Sequence, residues 1–75
     1  AEDIQKLNQI IALIDKQAAS FKSQARTMPE VKKVAEKKLI IDLIDNGLVL
    51  AKHVGPKASE IIADLKLLKK QMSSY

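Results

Sequence analysis

The chain has 75 residues, of which 47% are hydrophobic and 3% aromatic, and it contains no Cys. A chain of this length builds one hydrophobic core, so we expect a single domain over residues 1–75. Without Cys, disulfides and thiolate zinc sites are excluded, and stability must come from aliphatic burial. The 13 basic residues exceed the 9 acidic ones and give a net charge of +4. This excess is too small to indicate nucleic-acid binding, and no apolar run reaches the length of a membrane span.

An amphipathic helix is predicted first, over roughly residues 2–27. Its apolar residues recur at alternating steps of three and four, which places them on one face of an α-helix. They are Ile4, Leu7, Ile11, Ile14, Ala18, Phe21, Ala25 and Met28. The segment that follows predicts a sharp corner, in which Thr27 is the N-cap of the next helix, Pro29 lies in its first turn and Glu30 closes a capping box.

A second helix is predicted over residues 29–54, with a possible kink at residues 46–47. Its apolar face consists of Val34, Ile41, Ile44, Leu48, Ala51 and Val54. The Asn46-Gly47 pair allows two interpretations: the helix ends there and residues 48–54 form a separate short helix, or one continuous helix accommodates the glycine. Continuity is favoured, because the apolar positions keep their phase across Gly47.

A third helix is predicted over residues 56–73, after the Gly55-Pro56 break. Its apolar residues are Ala58, Ile61, Ile62, Leu65, Leu68 and Met72. No segment alternates with a period of two, so no strand is predicted. Short connections make neighbouring helices antiparallel, and the expected fold is all-α: a three-helix up-down-up bundle. With few aromatic residues, its core is expected to specify its packing loosely.

Five leucines remain after the core positions are assigned: Leu13, Leu39, Leu43, Leu50 and Leu67. Three of them, Leu39, Leu43 and Leu50, follow one another at steps of four and seven and form a second apolar stripe on the second helix. Either this middle helix needs a wide apolar face to pack both neighbours, or the stripe is an exposed surface that binds a partner.

The topology also predicts a basic pole, because the end of the first helix, the start of the second and the end of the third meet there. The lysines expected to face anions at this pole are Lys32, Lys33, Lys37, Lys38, Lys69 and Lys70. The opposite pole is expected to collect Glu2, Asp3, Asp42, Asp45 and Glu60. The alternative interpretation is an ordinary solvated helix face. Twelve Lys to one Arg, with no aromatic residue available for stacking, makes specific nucleic-acid binding improbable.

Nothing in the sequence indicates catalysis. His53 is the only imidazole, and it is expected to interact with the last carbonyls of its helix. Asp42 and Asp45 share a helix face but have no nucleophile or second His near them in sequence. We expect no enzyme activity, no cofactor and no metal site.

Two functions remain as hypotheses. The first is a protein-interaction module, which binds a partner helix or a second copy of itself through Leu39, Leu43 and Leu50 while the lysines attract acidic partners. The alternative is a small secreted protein that binds lipid, another amphiphile or an anionic membrane surface. The Ala1-Glu2-Asp3 start favours export after signal-peptide removal over a cytoplasmic chain that has lost its Met.

Overall fold

A computed structural model describes residues 2–75, with side chains from Asp3 onward. Its elements are α1 (Glu2–Gln24), α2 (Glu30–Val54), a 3₁₀ turn (Pro56–Ala58) and α3 (Ser59–Ser73). The described residues contain no strand. The prediction of an all-α, three-helix bundle is confirmed.

The central element of the bundle is α2. Both α1 and α3 pack against it, whereas no Cα atom of α1 comes within 8 Å of a Cα atom of α3 in the described part of the chain. The long dimension of the molecule is 40 Å, close to the length of a 25-residue helix such as α2. The separation of α1 from α3 leaves a groove between them.

Two clusters of aliphatic side chains form the core. The larger contains Ile14, Ala18, Phe21, Ala25, Ile40, Ile44, Leu65 and Met72. The smaller contains Leu7, Ala51 and Ala58. No polar or charged side chain is buried among the described residues, so hydrophobic burial and helix packing account for the stability of the bundle.

The buried face of α2 differs from the predicted one. Val34, which was expected in the core, is 57% exposed, and Ile40, which was not, is fully buried. The reason lies in the helix lengths: α2 has 25 residues and α3 has 15, so the first turns of α2 have no part of α3 beside them.

Gly47 lies inside α2, which continues without interruption from Glu30 to Val54. The interpretation of Asn46-Gly47 as a helix end is therefore wrong. Gly47 is buried at a crossing of all three helices, where a Cβ atom would lie 3.2 Å from Leu65 Cδ1 and 3.5 Å from Ile10 Cγ2 and Ile14 Cδ1. The missing side chain lets α1 and α3 approach the α2 backbone together.

The corner between α1 and α2 also differs from the prediction. The Thr27 hydroxyl donates to the Gln24 carbonyl at 3.3 Å, and the Thr27 N–H donates to the same oxygen at 3.1 Å. Thr27 thus satisfies the end of α1 and is not the N-cap of α2, so the predicted capping box does not form. The N-cap is Pro29, whose carbonyl accepts from the Lys33 N–H at 2.8 Å.

Gly55 separates α2 from the 3₁₀ turn as predicted, since its φ of +97° is one that residues with a side chain rarely adopt. The predicted third helix divides into the 3₁₀ turn and α3. At the far end of α3, the Tyr75 ring lies edge-on to the Phe21 ring with centroids 5.3 Å apart. This contact, which the sequence did not predict, joins the end of the chain to the last turn of α1.

Candidate interaction surfaces

The basic pole forms as the topology predicts. Lys37 Nζ donates to the Ser73 carbonyl at 3.2 Å, so α3 ends beside the third turn of α2. The Phe21–Tyr75 contact brings the end of α1 to the same place. Of the other predicted anion-facing residues at this pole, Lys32, Lys38 and Lys70 are exposed and Lys33 is half-buried.

Lys69 is neutralised by a partner. Its Nζ donates to Asp45 Oδ1 at 2.7 Å, and both side chains are about half exposed. The predicted placement of Asp42 and Asp45 at the opposite pole is wrong. Asp42 is the middle residue of α2, about 18 Å along the axis from the helix end, and Asp45 lies about one turn further on. Lys69 therefore belongs to the middle of the bundle.

The predicted leucine stripe is only partly exposed. Leu39 is 51% exposed, whereas Leu43 packs against the larger core cluster and Leu50 against the smaller one. The packing of α2 against both of its neighbouring helices therefore explains why Leu43 and Leu50 are apolar. Leu13 and Leu67, the other surplus leucines, are exposed singly. Partner binding by the stripe stays a prediction.

A lysine-edged depression occupies the N-terminal half of α2. It has a volume of about 240 Å³ and is lined by Val34, Lys37, Lys38 and Ile41. These positions fall on one helix face, and the neighbouring Val31 is 85% exposed. We call this surface the α2 depression. Sequence reasoning missed it because Val34 was assigned to the core, and because Ile41, which does pack against the core, also borders the depression. The signal for it was the unequal length of the second and third helices.

The second surface is the α1–α3 groove, which has a volume of about 120 Å³. Its lining consists of Ile11, Asp15, Ile61, Asp64, Leu65 and Leu68. The aliphatic side chains come from both helices, and each helix adds one exposed carboxylate, Asp15 from α1 and Asp64 from α3. The groove is thus apolar at its centre and acidic at its edges. The edges of the α2 depression are basic, so the two surfaces carry opposite charges.

Neither surface carries an arrangement typical of catalysis. Residues 3–75 contain no group of three or more side chains placed to hold a metal ion. His53 is exposed and makes no hydrogen bond within the described residues, so its predicted interaction with the last carbonyls of α2 is not formed. No described helix is long and apolar enough to cross a membrane.

Comparison with protein-family models, with curated proteins and with solved structures finds no match to this chain. Its function must therefore be inferred from the two surfaces, which are aliphatic at their centres and oppositely charged at their edges.

Proposed function

We propose that this chain is a non-enzymatic protein-interaction module, which binds an acidic, amphipathic helix of a partner at the α2 depression. The observation that carries the proposal is the juxtaposition of Val34 and Ile41 with Lys37 and Lys38 on one helix face. Val34 is 57% exposed there, and Ile41 packs against the core with part of its side chain still accessible. Aliphatic side chains supply binding energy through burial, and the lysines select the charge of the partner.

The shape of the surface favours a helix as the ligand. Val34 and Ile41 are seven residues apart, which corresponds to two turns and about 10.5 Å along α2. A partner helix with apolar residues at the same spacing can cover both side chains at once. It would take the place beside the first turns of α2 that α3 is too short to occupy.

The charges around the depression favour an acidic partner. Lys38 is exposed and forms no ion pair within the described residues. Lys37 donates one hydrogen bond to the Ser73 carbonyl, but an ammonium group has three N–H donors and can also meet a carboxylate. Since Lys32 and Lys33 lie within about two turns, we expect association to slow as salt is added.

Leu39 belongs to a different part of α2. It is five residues from Val34, which places it about 140° around the helix axis. The stripe of Leu39, Leu43 and Leu50 therefore does not continue the depression, and two of its three residues already pack in the bundle. The depression is the stronger candidate because its aliphatic and basic side chains lie together.

The proposal predicts that the protein binds a designed acidic peptide helix with leucines two turns apart, as measured by fluorescence anisotropy. Val34→Ser should weaken binding by about tenfold, because a buried valine is worth about 1.5 kcal/mol. Val49→Ser is the matched control, since Val49 lies on the same helix and is also 57% exposed. It should leave the affinity unchanged.

Charge is tested with a second matched pair. Lys38→Glu should weaken binding of the acidic peptide, whereas Lys52→Glu, an equal change at an exposed position near the other end of α2, should not. Equal effects of the two substitutions, or equal binding of a peptide with lysines in place of its glutamates, would contradict the proposal.

An anionic membrane surface is the second candidate ligand, because Val31 is 85% exposed at the lysine-rich end of the molecule. Co-sedimentation with vesicles containing phosphatidylserine separates the two. Binding to vesicles but not to the peptide would favour the membrane and contradict the protein partner.

A further inference from the structure

We infer that a second copy of this chain is a partner of the α2 depression, and that it binds through its α1–α3 groove. The inference rests on the proposed function, since it names an occupant of the same site. The two surfaces have complementary chemistry: Lys37 and Lys38 edge the depression, and Asp15 and Asp64 edge the groove.

The spacing of the residues agrees with such a contact. Val34, Lys38 and Ile41 follow one another at steps of four and three on α2. On α3, Leu68, Asp64 and Ile61 show the same steps when they are followed in the opposite direction. An antiparallel pairing of the two helices therefore places Lys38 opposite Asp64, with Val34 opposite Leu68 and Ile41 opposite Ile61.

The charged groups are available for this contact. The only ion pair among the side chains that the structure describes joins Lys69 to Asp45, so Lys38, Asp15 and Asp64 have no ionic partner among them. All three side chains are exposed. Association would need no internal ion pair to break, and it would bring opposite charges of the two surfaces together.

The contact would also complete the packing of α2. Its first turns lack a neighbour on the side where α3 ends, and the α3 helix of a second copy would occupy that side. Because a depression on one copy meets a groove on the other, the contact joins two different surfaces. Each copy could therefore offer its remaining surface to another molecule.

The test is sedimentation equilibrium of the whole chain from about 10 μM to 1 mM at low salt, a range that detects weak dimers. We expect the average mass to rise with concentration. Lys38→Glu and Asp64→Lys should each weaken association by about tenfold, because each replaces an opposite-charge contact with a like-charge one. The double variant Lys38→Glu/Asp64→Lys should restore association, because the two charges are exchanged but remain opposite.

Two control variants exclude an effect of net charge. Lys52→Glu and Asp3→Lys change the net charge as the two test substitutions do, at exposed positions outside both surfaces, and should leave association unchanged. Circular dichroism of every variant serves as the control for folding, and we expect all of them to remain helical. A chain that stays monomeric over the whole range, or a double variant as weak as the single variants, would overturn the inference.

The failure of this inference differs from the failure of the proposed function. Asp64 lies outside the depression, so the Asp64→Lys variant should still bind the acidic peptide. A monomeric protein that binds the peptide overturns self-association alone. A protein that binds neither the peptide nor a second copy overturns both.

Discussion

Gly47 is the residue at which the packing of all three helices is most sensitive to side-chain size. An alanine Cβ would lie 3.2 Å from Leu65 Cδ1, and Leu65 borders the open α1–α3 groove, into which it can shift. We expect Gly47→Ala to stabilise the protein by somewhat less than the ~1 kcal/mol gained in helix propensity. Gly47→Leu should destabilise it by about 1–3 kcal/mol through overpacking. Urea denaturation measures both, and a stable Gly47→Leu variant would contradict the crossing described above.

Tyr75 is predicted to stabilise the bundle through its ring. Phe21 is almost fully buried, and the Tyr75 ring packs against it in a T-shaped arrangement while remaining partly exposed. Tyr75→Phe should leave the free energy of unfolding unchanged, whereas Tyr75→Ala should lower it by about 0.5–1.5 kcal/mol. Thermal denaturation measures both variants. If Tyr75 does not contribute to stability, both variants will unfold at the same temperature as the unchanged protein.

At the scale of the element, periodicity predicted three helices with boundaries within about three residues. It identified five buried residues of the first helix and the turn after it, Leu7, Ile14, Ala18, Phe21 and Ala25. It was wrong for Ile4, which was expected on the same buried face and is 42% exposed. On α2 it was wrong for Val34 and missed Ile40, whereas its other five core positions lie in or against the core clusters. Residues 39–41 are all aliphatic there, and apolar side chains surround much of the helix. Periodicity alone could not decide that Ile40 is buried and Val34 exposed, since this depends on where α3 ends.

For the leucine stripe of α2, the structure predicts which serine substitutions lower the stability of the bundle. Leu39→Ser should change the free energy of unfolding by less than about 0.5 kcal/mol, because Leu39 is half exposed and belongs to neither core cluster. Leu43→Ser and Leu50→Ser should each cost about 1–3 kcal/mol, because both side chains pack against the core. Equal, small effects for all three in chemical denaturation would show that the whole stripe is a free surface.

At the scale of the molecule, topology alone predicted the basic pole, because any up-down-up bundle brings these three helix ends together. It could not predict that Asp45 neutralises Lys69, which depends on the axial offset of α3 along α2. The two candidate surfaces were also not predicted, although the unequal lengths of the second and third helices were a signal for the depression. The depression results from the shortness of α3, and the groove from the distance between α1 and α3.

The α2 depression is the surface at which we propose that a partner binds. A titration of the ¹⁵N-labelled protein with the acidic peptide, followed by amide chemical shifts, tests it residue by residue. We expect the largest shifts to cluster on Val34, Lys37, Lys38 and Ile41 and to diminish as salt is added. Shifts centred on Leu39, Leu43 and Leu50, or spread evenly over every lysine, would contradict it.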